Sequence, residues 1–335
     1  MSSPAAGWDQ IEAVRGLLVE VGVAGCAVID LDVSQSAARL PGLGVVQIGF
    51  CRAARLDIET ETFDILLCGE PSAPRPWVGV GPDALDEAVL EIRTQAERNP
   101  VAAVVVAQAL RLSLNLTFDQ ALWVESIGYS MLLASSEFKH WRAEHPARRR
   151  AEDPGPRVLL DCGEAGLTIE LIRASARNAF DGRMRDELVE ALEFAAVHPD
   201  APPVTLFGRG PAFSAGGDLD EFGKAADPGL AHLIRTARSP TRLIHQLGNR
   251  ITAVAHGACV GAGIETPAAA ARLIARPDAV FRLPEVSMGL IPGAGGVASI
   301  PRRIGRHRAC FMAISGRALS ATEALAWGLV DAVEP

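Results

Sequence analysis

Three short segments dense in glycine and alanine punctuate the second half of this chain, and they constrain its fold more than any other feature. GRGPAFSAGGDLDEFG (Gly208–Gly223) follows the apolar run Pro203–Phe207, HGACVGAGIE (His256–Glu265) follows Thr252–Ala255, and Gly293-Ala294-Gly295-Gly296 follows Ile291-Pro292. Glycine loses more backbone freedom on ordering than any other residue, so such clusters mark positive φ angles or a backbone that something approaches closely. Between them lie helical patterns, as in MRDELVEALEFAAVHPD, where Met184, Leu188, Ala191, Leu192 and Ala195 share one face. Short apolar strands alternating with amphipathic helices predict an α/β fold with a mainly parallel sheet. A single helix is expected around Leu230–Gly248.

The division of the chain follows from RAEHPARRRAEDPGPR (Arg142–Arg157), which is charged, holds three prolines and has no apolar period. It reads as a linker at 146–156 between a first part, 1–145, and a second, 157–335. The second opens with a hairpin signature, Arg157–Asp161 and Leu167–Leu171 around a turn at Cys162–Gly166. In the first part, strand candidates are Gly25–Leu31, Gly44–Phe50, Phe63–Cys68 and Trp77–Val80. Helices are expected over Asp83–Arg98, Val101–Leu112 and Thr117–Trp141, the last with an apolar face through Leu122, Ile127, Met131 and Leu132.

With 335 residues, 49% hydrophobic and 21% charged, the chain can bury a substantial core. Its net charge of -8 argues against a nucleic-acid partner, although Arg302–Arg308 gathers enough positive charge to meet one phosphate. The six cysteines are scattered, without CxxC or a Cys/His cluster, so a reduced cytoplasmic protein with no metal site is expected. MSSPAAGWDQ lacks the basic and apolar stretches of a leader, and Gln108 and Arg111 interrupt the apolar run Val101–Leu112. A soluble chain with no membrane partner is therefore expected.

The chemistry resides in the loops. Ala212-Phe213-Ser214-Ala215-Gly216 mimics a nucleophile elbow with Ser214 as nucleophile, but Pro211 blocks the strand-to-serine run that an elbow requires. The other chemical reading is that Gly217 and Ala262 present backbone N–H groups from two strand ends to one developing oxyanion. The bland reading is a pair of tight turns. Glu265 and Glu285 stand in apolar stretches, a setting that suits general acid/base work; otherwise they are a first-turn glutamate and a solvated turn residue. The third small-residue segment lacks GK[ST] and is no P-loop. His256 and His307 have no metal-ligand spacing around them.

In this order the segments resemble those of the crotonase family, the enoyl-CoA hydratases and isomerases, over Arg157–Pro335. The resemblance implies the crotonase-like (ClpP/crotonase) spiral of ββα units with a helical segment. ASARNAFDGRMRDELVEAL is similar to the stretch that meets the adenine of coenzyme A, which places Ala176, Arg177 and Ala179 there. AFSAGGDLDEF resembles the first-donor loop, which implies the oxyanion N–H on Gly217 and substrate or coenzyme A contacts at Gly216, Asp218, Leu219 and Asp220. HGACVGAGIE resembles the loop of the second donor, Ala262, and of one catalytic glutamate, Glu265. FRLPEVSMGLIPGAGG resembles the segment carrying the other, Glu285, and a glycine contact at Gly293.

Three departures accompany the match: Ala262 stands where many members have glycine, Thr266-Pro267 follows the glutamate, and Asp220 occupies a place suited to a basic residue near the phosphates. The family would continue beyond Pro335 into covering helices. PDALDEAVLEIRTQAERNPVAAVVVAQALRLSLNLTFDQALWVESIGYSMLLASSEFKHW (Pro82–Trp141) resembles those helices instead. The expectation is two unequal pseudo-repeats, a degenerate first half supplying covering and oligomerisation helices and an active second half; circular permutation is the alternative. The implied activity is reversible addition of water to a 2-enoyl-CoA by two glutamates and an oxyanion hole, in a trimer or hexamer, with coenzyme A present only as part of the substrate. Alternatives are an isomerase or dehydratase on the same scaffold, or a non-catalytic acyl-CoA-binding subunit.

Overall fold

A computed structural model describes residues 25–33, 44–55, 58–148 and 154–335. The opening residues 1–24 and the centre of the expected linker, 149–153, lie outside the described residues. In the first part β1 (Cys26–Asp30), β2 (Val46–Cys51), β3 (Ile65–Cys68) and β4 (Val78–Gly79) pair in the order 1-2-3-4, all parallel. Helices α1 (Leu85–Arg98) and α2 (Pro100–Ser113) are separated at Asn99-Pro100, where proline takes the N1 place that needs no N–H partner. The predicted third helix is two, α3 (Phe118–Leu133) and α4 (Ser136–Glu144). Thr117 and Gln120 form a capping box on α3, while the Ser135 hydroxyl accepts from Phe138 N and restarts the helix as α4.

The second part opens with the expected hairpin, β5 (Val158–Gly163) and β6 (Gly166–Leu171), followed by α5 (Gly182–Val197) and β7 (Val204–Gly208). The helix expected around Leu230–Gly248 is also two, α6 (Pro228–Ala237) and α7 (Pro240–Leu247), because Ser239 caps and Pro240 starts a new helix. Next come β8 (Ile251–Ala255), β9 (Ala258–Val260), the single turn α8 (Ala262–Glu265), β10 (Arg272–Ala275) and β11 (Val280–Arg282). The described chain closes with α9 (Gly296–Ile304), α10 (Arg306–Ser315), β12 (Leu319–Ser320), α11 (Ala321–Trp327) and β13 (Ala332–Val333). The main sheet runs β13-β10-β8-β7-β6-β5, with antiparallel pairing only between β5 and β6; β12-β11-β9 form a smaller sheet. Alternate residues of β8, Ile251, Ala253 and Ala255, are fully buried, the period of a strand with one face in the core.

The two parts share one core. Helix α10 is buried at every position and packs on α1 and α2, while α9 packs on α2 and α3. The basic run Arg302–Arg308 that looked able to meet a phosphate is turned inward. Arg306 donates to Phe63 O (2.7 Å) and Glu61 O (2.9 Å), and Arg308 donates to Trp77 O (2.9 Å) and Ala73 O (2.8 Å). Arg302 donates to Leu116 O and Arg303 to Ala268 O. His307 hydrogen-bonds Thr60 O, and burial lowers its pKa to about 4, so it is neutral. The guanidiniums of Arg302, Arg306 and Arg308 satisfy carbonyl groups of the first part, and that of Arg303 a carbonyl of the second, an arrangement suited to their fork of donors.

The apolar face of α3 is also phased differently from the prediction. Leu122 and Leu132 are buried, whereas Ile127 (58% exposed) and Met131 (53% exposed) face outward. The buried stripe runs Leu122, Glu125, Tyr129, Leu132, a helical spacing that a carboxylate interrupts. No helix among the described residues is long and apolar enough to cross a membrane.

Candidate active site

Strand β7 runs into the first glycine loop, which the buried Asn178 amide holds by donating to Arg209 O, Ala212 O and Phe213 O. Ser214 Oγ donates to Asn178 O (2.8 Å) and accepts from Gly216 N (3.1 Å), so the hydroxyl is committed to the backbone and no nucleophile elbow forms. Gly216 has φ 92°, and a β-carbon there would lie 2.6 Å from Val260 O, so the first loop is pressed against the second. The bridge to Phe180 uses the Gly216 carbonyl and the Asp218 N–H, at 2.8 Å each, which directs the Gly217 N–H away from Phe180. Ala262 N–H opens the one-turn helix α8, where no preceding carbonyl of the helix is in reach. Neither N–H meets an acceptor among the described residues, and both residues line a cavity of about 700 Å³. An unpaired backbone N–H at a cavity wall awaits a partner.

Three buried glutamates border the same cavity. Glu265 Oε2 accepts from Ala294 N (2.7 Å) and Gly296 N (3.0 Å). Glu125, reaching in from α3, accepts from Gly295 N (2.6 Å) on one oxygen and Val297 N (2.7 Å) on the other. Four successive amides at the start of α9 thus alternate between two acids. Glu285 stands on the turn Glu285–Met288, and its buried Oε2 has no hydrogen-bond partner among the described residues. A β-carbon at Gly261 (φ 50°) would collide with Glu285 Oε1 and lie 3.8 Å from Glu265 Oε1, so both acids point an oxygen at the same glycine.

Burial raises all three pKa values. Glu265 is lifted from 4.5 to about 7, held from rising further by the amides of Ala294, Gly296 and Gly293. Glu285 is raised well above its ordinary value by burial and then by the charges of Glu265 and Glu125; Glu125 is raised by burial and then by Glu265. Desolvation and like charge act in the same direction here. Among the described residues no three His, Cys, Asp or Glu side chains are grouped so as to hold a metal ion.

Of the residues singled out from the sequence, Gly217, Ala262, Glu265, Glu285, Asp218 and Gly293 come together on the cavity wall. Gly216 backs the wall through its contact with Val260. Asp218 is ion-paired with Arg173 (2.8 Å), and Asp220 accepts from Arg148 N and donates its own N–H to Asp218 Oδ1. Leu219 offers its carbonyl to Arg142. Ala176, exposed Arg177 and buried Ala179 form the turn before Phe180, the first residue of that segment on the cavity wall, and Arg177 O accepts from Ala215 N. The His256 ring hydrogen-bonds Gly210 O (2.9 Å). Glu125, Tyr129 and Arg235 were not singled out from the sequence. The signal for the first was present: a lone carboxylate in the buried stripe of α3.

A family model described as enoyl-CoA hydratase/isomerase matches residues 163–335, just over half of the chain. YhaR of Bacillus subtilis (strain 168) is 36% identical over 175 residues, 52% of this chain and 68% of that one. The 2,3-dehydroadipyl-CoA hydratase of Escherichia coli (strain K12) is 34% identical over 170 residues, 50% of this chain and 66% of its own length. The crystal structure of an enoyl-CoA hydratase from Thermoplasma volcanium GSS1 superposes with a TM-score of 0.50 at 32% identity, covering 54% of this chain and 72% of that one. The chain spans about two thirds of the length of the curated relatives it matches. Their common ground is the second half described above, with its parallel sheet and glycine loops, and on it the chain belongs to the enoyl-CoA hydratase/isomerase family, built on the crotonase fold.

Proposed function

We propose that the chain hydrates a 2-enoyl-CoA thioester. One observation carries this reading: Glu265 and Glu285 direct oxygens at the same point beside Gly261, in a cavity whose wall also holds the unpaired N–H groups of Gly217 and Ala262. The thioester oxygen takes those two N–H groups, and one water lies between the two carboxyl groups. Glu265, with a pKa of about 7, withdraws a proton from the water as its oxygen bonds to the β-carbon. The negative charge moves to the thioester oxygen, where one such donor lowers the barrier by roughly 2.7–4 kcal/mol. Glu285, held more firmly protonated, gives its proton to the α-carbon. Water is consumed whole, and a net proton transfer from Glu285 to Glu265 remains to be reversed before the next turnover. Phe180, on the cavity wall, and the turn before it take the coenzyme portion in this reading, as the sequence resemblance implies. The outward Trp123, Ile127 and Met131 of α3 support self-association of the chain.

The test is loss of the conjugated-thioester absorbance with crotonyl-CoA and longer enoyl-CoAs. Glu285→Gln keeps the shape of the site but removes the proton, and is expected to slow hydration on the order of 10²–10⁴-fold while acyl-CoA binding survives. Wild-type turnover in that variant would remove Glu285 from the mechanism.

A further inference from the structure

Helix α6 carries Ala231 and Arg235 one turn apart on the side that lines the cavity. A basic residue in a last turn commonly serves the carbonyl end of its own helix. Arg235 turns instead to α3. Its Nη1 donates to Ser126 Oγ (2.8 Å), Ser130 Oγ (3.0 Å) and Ser126 O (3.3 Å), and its guanidinium lies 4.6 Å over the Tyr129 ring. His232 Nδ1 meets the same Ser126 hydroxyl at 2.9 Å. Hydroxyls, a carbonyl and a ring face orient the group without neutralising it.

The other arginines on this wall have carboxylate partners: Arg185 pairs with Asp186 (2.9 Å), and Arg238 with Asp186 (3.3 Å) and Glu190 (3.4 Å). Arg235 has no carboxylate within 4.0 Å among the described residues, and its Nε and Nη2 meet no acceptor there. Glu125, whose charge acts on it, has its two oxygens bound to Gly295 and Val297 N–H. Burial lowers the pKa of Arg235, but a guanidinium stays charged. The open Nε–Nη2 edge is the one that grips a carboxylate side-on with two parallel bonds, as Arg209 grips Glu170.

The position of Arg235 selects the source of the anion. Tyr129, beneath the guanidinium, packs on Gly293, next to the amides that hold Glu265. Ala176, Arg177 and Ala179, the residues of the candidate nucleotide segment expected to meet the adenine, are not on the cavity wall, which takes Phe180, Asp181, Gly182 and Arg185 from that segment. We infer that the cavity is built for a 2-enoyl-CoA whose acyl tail ends in a carboxylate, with Arg235 as the receptor for that carboxylate. The inference rests on the reading of the cavity as an acyl-CoA site.

Its test compares two thioesters of equal length, hexenoyl-CoA and hexenedioyl-CoA, in wild type, Arg235→Gln and Arg235→Lys, with thermal melting as the folding control. The readout is the ratio of kcat/KM between them. Wild type should favour the dicarboxylic thioester, and Arg235→Gln should lower the ratio roughly 10- to 100-fold, mainly through KM, with partial retention in Arg235→Lys. A wild-type ratio near or below one overturns the inference whatever the variants do. An unchanged ratio in Arg235→Gln, or an equal loss on both thioesters as expected for a contact to the coenzyme phosphates, also overturns it. Should wild type hydrate neither compound, calorimetric binding of saturated adipyl-CoA and hexanoyl-CoA decides: preference for adipyl-CoA sustains the carboxylate receptor while the hydratase reading falls, and equal affinity removes the receptor.

Discussion

Replacing Glu265 with glutamine should make the protein more stable and less active, and the stability gain should appear only above a particular pH. Glu265 is 2% exposed, and the Ala294 and Gly296 amides converge on the single oxygen Oε2. A glutamine carbonyl at that place keeps both hydrogen bonds, so the substitution isolates the charge. A carboxyl at about 7 rather than 4.5 resists ionising in the folded chain by about 3 kcal/mol, at roughly 1.4 kcal/mol per pKa unit. The sign follows from proton counting. Between about 4.5 and about 7 the folded state holds a proton that the unfolded state has released, so wild-type stability falls as pH rises through that window. Below it the penalty is absent; above it the penalty is complete. Glu265→Gln should therefore match wild type near pH 4.5 and exceed it by about 3 kcal/mol at pH 8, a large share of a typical folding free energy. Glu125 and Glu285 lose a like-charged neighbour and change in the same direction. Urea unfolding of both proteins at the two pH values, with hydration rates measured alongside, is the assay. Equal pH dependence in the two proteins, or a variant weaker than wild type at pH 8, would refute the argument.

Gly217→Pro removes the N–H outright and should abolish turnover, whereas Gly217→Ala keeps the donor but brings a β-carbon against the Phe222 ring and should be milder; steady-state kinetics on folded protein separate them, and normal kcat in the proline variant would exclude the oxyanion role. Arg308→Ala leaves Trp77 O and Ala73 O without their buried donor and should lower stability by about 2–4 kcal/mol, read by thermal unfolding, with no change in that figure between low and high salt because the pairing is with carbonyls.

The parts of the site legible in the sequence are those whose chemistry is local. Gly217, Ala262 and Glu265 sit in small-residue loops directly after strands, and Glu285 follows proline in an apolar stretch, so residue type and neighbours sufficed. Glu125 was hidden because its partners lie 170 and 172 residues away and its own helix has a polar residue where the apolar period needs a leucine. The same interruption drew the eye to Ile127 and Met131, which are i, i+4 neighbours on the outer face. Periodicity also ran through Ser239-Pro240 and Ala134-Ser135, where caps outweigh it. Arg306-His307-Arg308 read as a charged surface because charge is normally solvated; here backbone carbonyls of distant turns take the place of water.

The clasp between Arg306 and the turn at Glu61 joins positions 245 residues apart, and the Arg308 contacts span 231 and 235. Chain closure over such distances must be achieved before those contacts return any free energy, which places this molecule among slow folders. The first half is synthesised before α10, so the surface that α10 covers has no partner until nearly the whole remaining chain has been made. The amides that hold Glu125, those of Gly295 and Val297, come from the same late stretch of the chain. Protection of newly made chains by a holdase, and a refolding yield that falls steeply with protein concentration, are the physiological marks of such a late closure.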